Sequence, residues 1–163
     1  IELVVMICIV CVLMVLGAVH LLRARARGYE ASAVASLRVI AQGQVTYSVA
    51  CGMGGFAPNL QVLSKPMPKG DLPFIPADLG GRMVMAKSGY LFLVRPAYNA
   101  SPYKADCNGI MNTSAYYASA RPLTFSVAGG TESYAISVNG AIWAVEAAVP
   151  PTDPFGPPAY PLR

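Results

Sequence analysis

Few residues in this chain are spaced for chemistry, and the most telling stands at its start. Glu2 precedes twenty positions, Leu3 to Leu22, that hold no Asp, Glu, Lys or Arg. A carboxylate heading an apolar helix of that length is costly to desolvate, so it either meets a cation at the same depth or stays hydrated at the membrane's cytoplasmic interface, and the two can be successive states. The single histidine, His20, lies at the edge of this run, so no Ser-His-Asp set can form elsewhere. The carboxylates show no paired motif for acid–base work. Gly52-Met53-Gly54-Gly55 and Gly80-Gly81 are too short for a phosphate loop. Asp71 and Asp78 flank a proline-rich loop, but their spacing matches no calcium loop. Cys8 and Cys11 sit three apart inside the apolar run, with neither a carboxylate nor a histidine beside them to complete a metal site and no haem-attachment motif. They read as small packing residues. Tyr29 and Tyr47 read as packing between a helix and what covers it. No catalytic residue, cofactor or metal ligand is assigned, and an enzyme is not expected.

The element that must carry Glu2 is a long helix. A 20-residue helix spans about 30 Å, the thickness of a bilayer's hydrocarbon core. The apolar run stops at Arg23, Arg25 and Arg27, and an Ala-rich amphipathic pattern follows. Helix is expected from Ile1 to about Ala50, roughly 75 Å in all. Val34, Leu37, Ala41, Val45 and Ser48 make a stripe on which a globular layer should pack. Arg27 and Glu30 are spaced to pair. Cys51-Gly52-Met53-Gly54-Gly55 should end the helix. The chain thus divides at about residue 52. Residues 1–22 form the membrane-length part, 23–52 the amphipathic part and 53–163 a head.

The head should be rich in β-structure. Phe56 to Leu63 reads as a short helical piece with Pro58 in its first turn. Four prolines between Ser64 and Leu79 mark an irregular connection. Strands are expected at Arg82–Ala86 and Tyr90–Arg95 about a Lys87-Ser88-Gly89 turn. Ala97 to Arg121 reads as a long polar loop. Further strands are expected at Leu123–Ala128, Glu132–Val138 and Ala141–Glu146, the last two about Asn139-Gly140. Trp143 and Tyr134 should cover the sheet's faces. The tail, 150–163, holds six prolines. It should be extended, either loose or docked as a strap on a neighbouring subunit. The fold class is α+β: a long N-terminal helix packed on a small antiparallel sheet.

The segment IELVVMICIVCVLMVLGAVHLLRARARGYEASAVASLRVIAQGQVTYS resembles the N-terminal helix of bacterial type IV pilins. Glu2 matches the family's glutamate, and Glu30 to Arg38 resembles the segment that follows the membrane part. Processed chains of that family begin with an aromatic residue and two more before Ile-Glu. The resemblance therefore implies three residues ahead of Ile1 and a short basic leader removed by a prepilin peptidase. Such a leader would override the arginines after the span, which alone place the C-terminal side in the cytoplasm. The resemblance also implies that Glu2 meets the N-terminal amine of an adjacent subunit. Leu3, Val4, Val5 and Gly17 would join it in assembly, Gly17 as the point of local unwinding. Cys51 and Cys107 then lie in an exported head, where an oxidising compartment favours a bridge between them. Asn99 and Asn112 head N-glycosylation triplets that would suit an exposed surface.

The implied function is a structural polymer. Many copies would form a helical filament, a type IV pilus on the bacterial surface, serving adhesion, twitching motility or DNA uptake. Before assembly the chain would cross the inner membrane once and be handled by the pilus assembly machinery. The formal charge of +4 does not imply a dedicated nucleic-acid site, since four of the twelve basic residues lie on the helix. Two alternatives stand beside this reading. One is a minor pilin or a type II secretion pseudopilin. The other is a single-span anchor for a ligand-binding head.

Overall fold

The computed structural model describes residues 2–68, 70 and 72–162, without the side chains of residues 8, 13 and 15–19. The fold is mixed helix and antiparallel sheet, so the α+β expectation holds. Helix α1 spans Glu2–Ala50. From Ala26 onward one face of it is buried: Ala26, Ala33, Leu37, Ile40, Gln44 and Tyr47, at three-four spacing. The expected stripe is rotated from this one. Leu37 is common to both, whereas Val45 is exposed and Val34, Ala41 and Ser48 are half-buried. Two residues that hydropathy scores poorly cause the rotation. Gly43 lets Phe74 and Ile75 approach so closely that a Cβ there would lie 2.6 Å from the Ile75 side chain. Gln44 is fully buried and pairs with the backbone of Ala57.

The glycine-rich segment ends α1 as expected. The N–H groups of Cys51 and Gly52 both donate to the carbonyl of Tyr47, and Met53 and Gly54 adopt left-handed φ angles of 49° and 92°. Helix α2, Leu60–Leu63, is capped by Asn59, whose side chain accepts from the Val62 N–H at 2.8 Å. Pro58 thus sits just before the cap rather than in the first turn.

The main sheet has the order β1-β2-β5-β6-β7-β8, all antiparallel. Its strands are β1 Val84–Lys87, β2 Tyr90–Pro96, β5 Tyr116–Pro122, β6 Ser133–Ser137, β7 Ile142–Val145 and β8 Tyr160–Pro161. Ser88 and Gly89, with φ of 47° and 76°, form the β1–β2 turn, and Asn139-Gly140 lies in the β6–β7 turn. Residues 97–121 are not a loop: they hold a small hairpin, β3 Pro102–Ala105 with β4 Met111–Thr113, and then β5, a central strand. Small and polar residues (Tyr-Tyr-Ala-Ser-Ala) disguised β5, which is buried on both faces. Conversely, Leu123–Ala128 is no strand. Leu123, Phe125 and Val127 are exposed there, and Ser126 and Gly130 close a tight bend.

The inner face of the sheet packs Tyr90, Phe92, Tyr116, Tyr134 and Ile136 against Leu37, Ile40 and Tyr47 of α1. The outer face has its own cover, and the tail supplies it. Phe155 stacks on Trp143 at 5.4 Å between ring centroids and lies 6.2 Å from Tyr117. The Tyr117 hydroxyl donates to the Pro151 carbonyl, and Ser133 Oγ donates to the Ala147 carbonyl. The chain then returns as β8 at the sheet edge, where proline is tolerated. The tail therefore straps its own head. It is not loose along this stretch. Tyr134 and Trp143 do cover the faces, one on each side.

Candidate assembly site

The described side chains in the first part of α1 have no cover. Leu3, Val4 and Val5 are exposed, Leu3 to 72%, and so are Met6, Ile7, Ile9, Val10, Val12 and Met14. Glu2 is exposed in the first turn, where a carboxylate suits the positive end of the helix dipole. The surroundings of Gly17 lie outside the described residues. Among the described residues no helix is long and apolar enough to cross a membrane. Residues 8, 13 and 15–19, in the middle of the apolar run, are not among those fully described. Cys11 carries a free, exposed thiol.

Where the head begins, α1 is held by polar contacts as well as by packing. Glu30 does not pair with Arg27. Instead it accepts from the Thr131 N–H at 2.9 Å and from its hydroxyl at 3.3 Å. Arg25 donates to the Tyr29 hydroxyl at 2.5 Å and lies over the same ring. Gln44 accepts from the Ala57 N–H at 2.8 Å and donates to its carbonyl at 2.9 Å. The Tyr47 hydroxyl donates to the buried Asp106 carboxylate at 2.7 Å, which also accepts from the N–H groups of Asn108 and Ile110. Cys51 and Cys107 are bridged beside this carboxylate, with Cα atoms 4.9 Å apart. The disulfide expected from the sequence is present.

Asn112 corrects an expectation. It is 2% exposed, donates to the Gly52 carbonyl and accepts from the Lys104 N–H. A sugar on its Nδ2 would displace that carbonyl, so Asn112 is a structural residue and not a glycan acceptor. Asn99 is exposed. Asp71 lies outside the described residues, and Asp78 pairs with Lys87 at 2.7 Å. Among the described residues no cluster of His, Cys, Asp and Glu could hold a metal ion.

Sequence reasoning missed Gln44, Asp106 and the Trp143–Phe155–Tyr117 stack. Only Asp106 carried a signal, since Asp106-Cys107-Asn108-Gly109 has the residues of an Asx turn. Burial raises the phenol pKa of Tyr47, Tyr90, Tyr117 and Tyr134, with the Asp106 hydrogen bond adding to it at Tyr47 and Glu132 adding at Tyr134. Tyr116 is pushed up to about 12 by burial alone. The hydroxyls of Tyr47, Tyr90, Tyr117 and Tyr134 are hydrogen-bond donors in the fold.

Two clefts flank the head. One, of about 330 Å³, lies on the outer face between Leu91, Leu93, Arg121 and Val149. The other, of about 510 Å³, runs between α1 at Val45 and the β6–β7 turn at Val138. Neither gathers a nucleophile with a base. What this arrangement offers is an apolar helical surface headed by one carboxylate, attached to a head that is internally bonded, covered by α1 on one face and partly by the tail on the other. Comparison with known proteins finds no matching family model, no matching curated protein and no matching solved structure.

Proposed function

We propose that this chain is the structural subunit of a type IV pilus. In this reading α1 acts as one rod. Its N-terminal part rests in the inner membrane before assembly and forms the filament core afterwards, while the head forms the surface. One observation carries the reading: α1 begins with a carboxylate and then exposes apolar residues that nothing in the described chain covers. Lipid satisfies such a surface, and so do many copies of the same helix. Helices in a head-to-tail contact that does not close give a filament. Glu2 would meet the terminal amine of an adjacent subunit, and the pairing would reward correct axial register. A prepilin peptidase and an assembly machine would act before and during polymerisation.

The test is electron microscopy and mass spectrometry of material sheared from the cell surface. Thin filaments made of this chain would support the reading. Protein confined to the envelope would overturn it in favour of a pseudopilin or an anchored head. Glu2→Ala should leave the protein in the membrane and abolish filaments; normal piliation would remove the pairing from the account.

A further inference from the structure

We propose that the bend Leu123–Val127, with the arginines after the apolar run, docks the head on the headgroup layer of an anionic bilayer before assembly. The proposal rests on the membrane reading of Leu3 to Leu22 given above.

Three observations converge on this margin of the head. First, the bend is built backwards for a soluble loop. Leu123, Phe125 and Val127 are each about half exposed, whereas the residues that fix the bend are backbone groups: Ser126 N–H to the Gly130 carbonyl, and Leu123 N–H to the Gly89 carbonyl. Three large apolar side chains at alternate positions, held out by a closed backbone, form a patch and not a scatter.

Second, the bend is tied to α1 seven and eight residues past Leu22, about 10–12 Å along the axis. Thr131, just after the bend, is bonded to Glu30, and Gly89 lies against the Tyr29 ring. The helix is already buried at Ala26. Ala26 is four residues past Leu22, about 6 Å along a helix axis. The headgroup layer on each side of a bilayer is about 5–7 Å deep. If Leu22 marks the edge of the hydrocarbon, the buried part of α1 begins within the headgroup layer and the bend stands at that layer's outer side.

Third, the charge fits phosphate. Arg23, Arg25 and Arg27 are exposed in this interval, and the acids nearby are engaged within the head. Glu30 accepts from Thr131, and Glu132 accepts from the hydroxyls of Tyr134 and Tyr160. Apolar residues beside cationic ones are the composition that seats a segment in the interface. Tyr29, which accepts from Arg25, adds the amphipathic ring common at that depth.

The experiment uses the full chain in vesicles of phosphatidylcholine with and without phosphatidylglycerol. The chain has one tryptophan, Trp143, so Trp143→Phe combined with Phe125→Trp gives a single reporter on the bend. Leu123→Trp in the same background is a second reporter. An intact Cys51–Cys107 bridge and the wild-type circular dichroism identify a folded head. The proposal expects blue-shifted reporter emission that brominated lipid quenches, more strongly with the anionic lipid. Val10→Trp reports the apolar run itself. If Val10→Trp is unquenched, the membrane reading fails and the docking fails with it. A quenched Val10→Trp with water-like, unquenched reporters at both 123 and 125 overturns the docking alone. Protection that grows with the protein-to-lipid ratio, without lipid quenching, assigns the bend to a second copy of the chain and also overturns it.

Discussion

Raising the pH above about 10 should unfold the head, and buried tyrosines set the size of the effect. Tyr47, Tyr90, Tyr116, Tyr117 and Tyr134 all have phenol pKa values raised by burial. In the unfolded chain each would lose its proton near pH 10. The folded state therefore binds more protons than the unfolded one above that pH, so stability falls as pH rises. The stabilisation is fully present below about pH 10 and declines until the pH passes each folded value, about 12 for Tyr116. One pH unit above the unfolded value, Tyr47, Tyr90, Tyr116 and Tyr134 each contribute a loss of roughly 1.4 kcal/mol, so these four together remove about 5–6 kcal/mol, and Tyr117 adds in the same direction. A domain's whole stability is about 5–15 kcal/mol. The assay is a titration followed in parallel by tyrosinate absorbance and by far-ultraviolet circular dichroism. The absorbance of the buried five should appear together with the loss of structure, between about pH 10.5 and 12. If all nine tyrosines ionise near pH 10 while the dichroism stays native, the hydroxyls are not held as described and the reasoning fails.

Gln44→Leu keeps the volume but strands the N–H and carbonyl of buried Ala57, so urea unfolding should show a loss of about 2–4 kcal/mol. Reducing the Cys51–Cys107 bridge, or changing both residues to Ser, frees a 56-residue separation; a midpoint shift equivalent to about 4 kcal/mol is expected from the chain-entropy relation, and an unchanged midpoint would refute it. Truncation before Pro150 uncovers Tyr117 and Trp143, so the head itself should lose at least about 3 kcal/mol in monomeric, detergent-solubilised protein. An unchanged melting temperature there would place the tail's role outside its own head.

Backbone punctuation was the most legible feature of this sequence. Gly52 to Gly55 ended α1, Ser88-Gly89 turned β1 into β2 and Asn139-Gly140 turned β6 into β7, because those turns need backbone angles that few residue types adopt. Hydropathy was less reliable. It favoured Leu123–Ala128 as a strand because its residues are large and apolar, yet they face solvent. It passed over Tyr116–Pro122 because alanine and serine score weakly, yet this strand is central. Small residues were needed there, since β5 is covered by α1 on one side and by the tail on the other, and the layers must come close. The stripe on α1 erred for a related reason: Gly43 and Gln44 are buried for what they allow and bond, not for what they would transfer from water. Of the candidate assembly residues, Glu2 and Leu3 to Val5 are exposed on α1, as their place at the head of the apolar run led one to expect. No local pattern could show that Asn112 is enclosed, because its partners lie 60 and 8 residues away.

The covered outer face bears on how such a subunit could polymerise. A sheet with one bare face invites its partner through that face, and the geometry of the assembly would then be set by strands. Here the Phe155 stack and the Pro151 carbonyl occupy the part of that face around Tyr117 and Trp143, and β8 covers the free edge of β7. Edge pairing is thereby discouraged on that side, since proline cannot extend a ladder. The opposite edge, β1, has only four residues and alternates exposed with half-buried side chains. Large uncovered apolar surface remains on the first part of α1 and at the Leu123–Val127 bend, both toward the same end of the helix. If copies associate through the surface that water disfavours most, the contacts concentrate on α1 and the head needs only to be rigid and soluble. The buried carboxylate at Asp106, the disulfide beside it and the tail strap all serve that rigidity. On the proposed reading, the chemistry of the head stabilises the head, and the chemistry of assembly falls to Glu2 and the helix behind it.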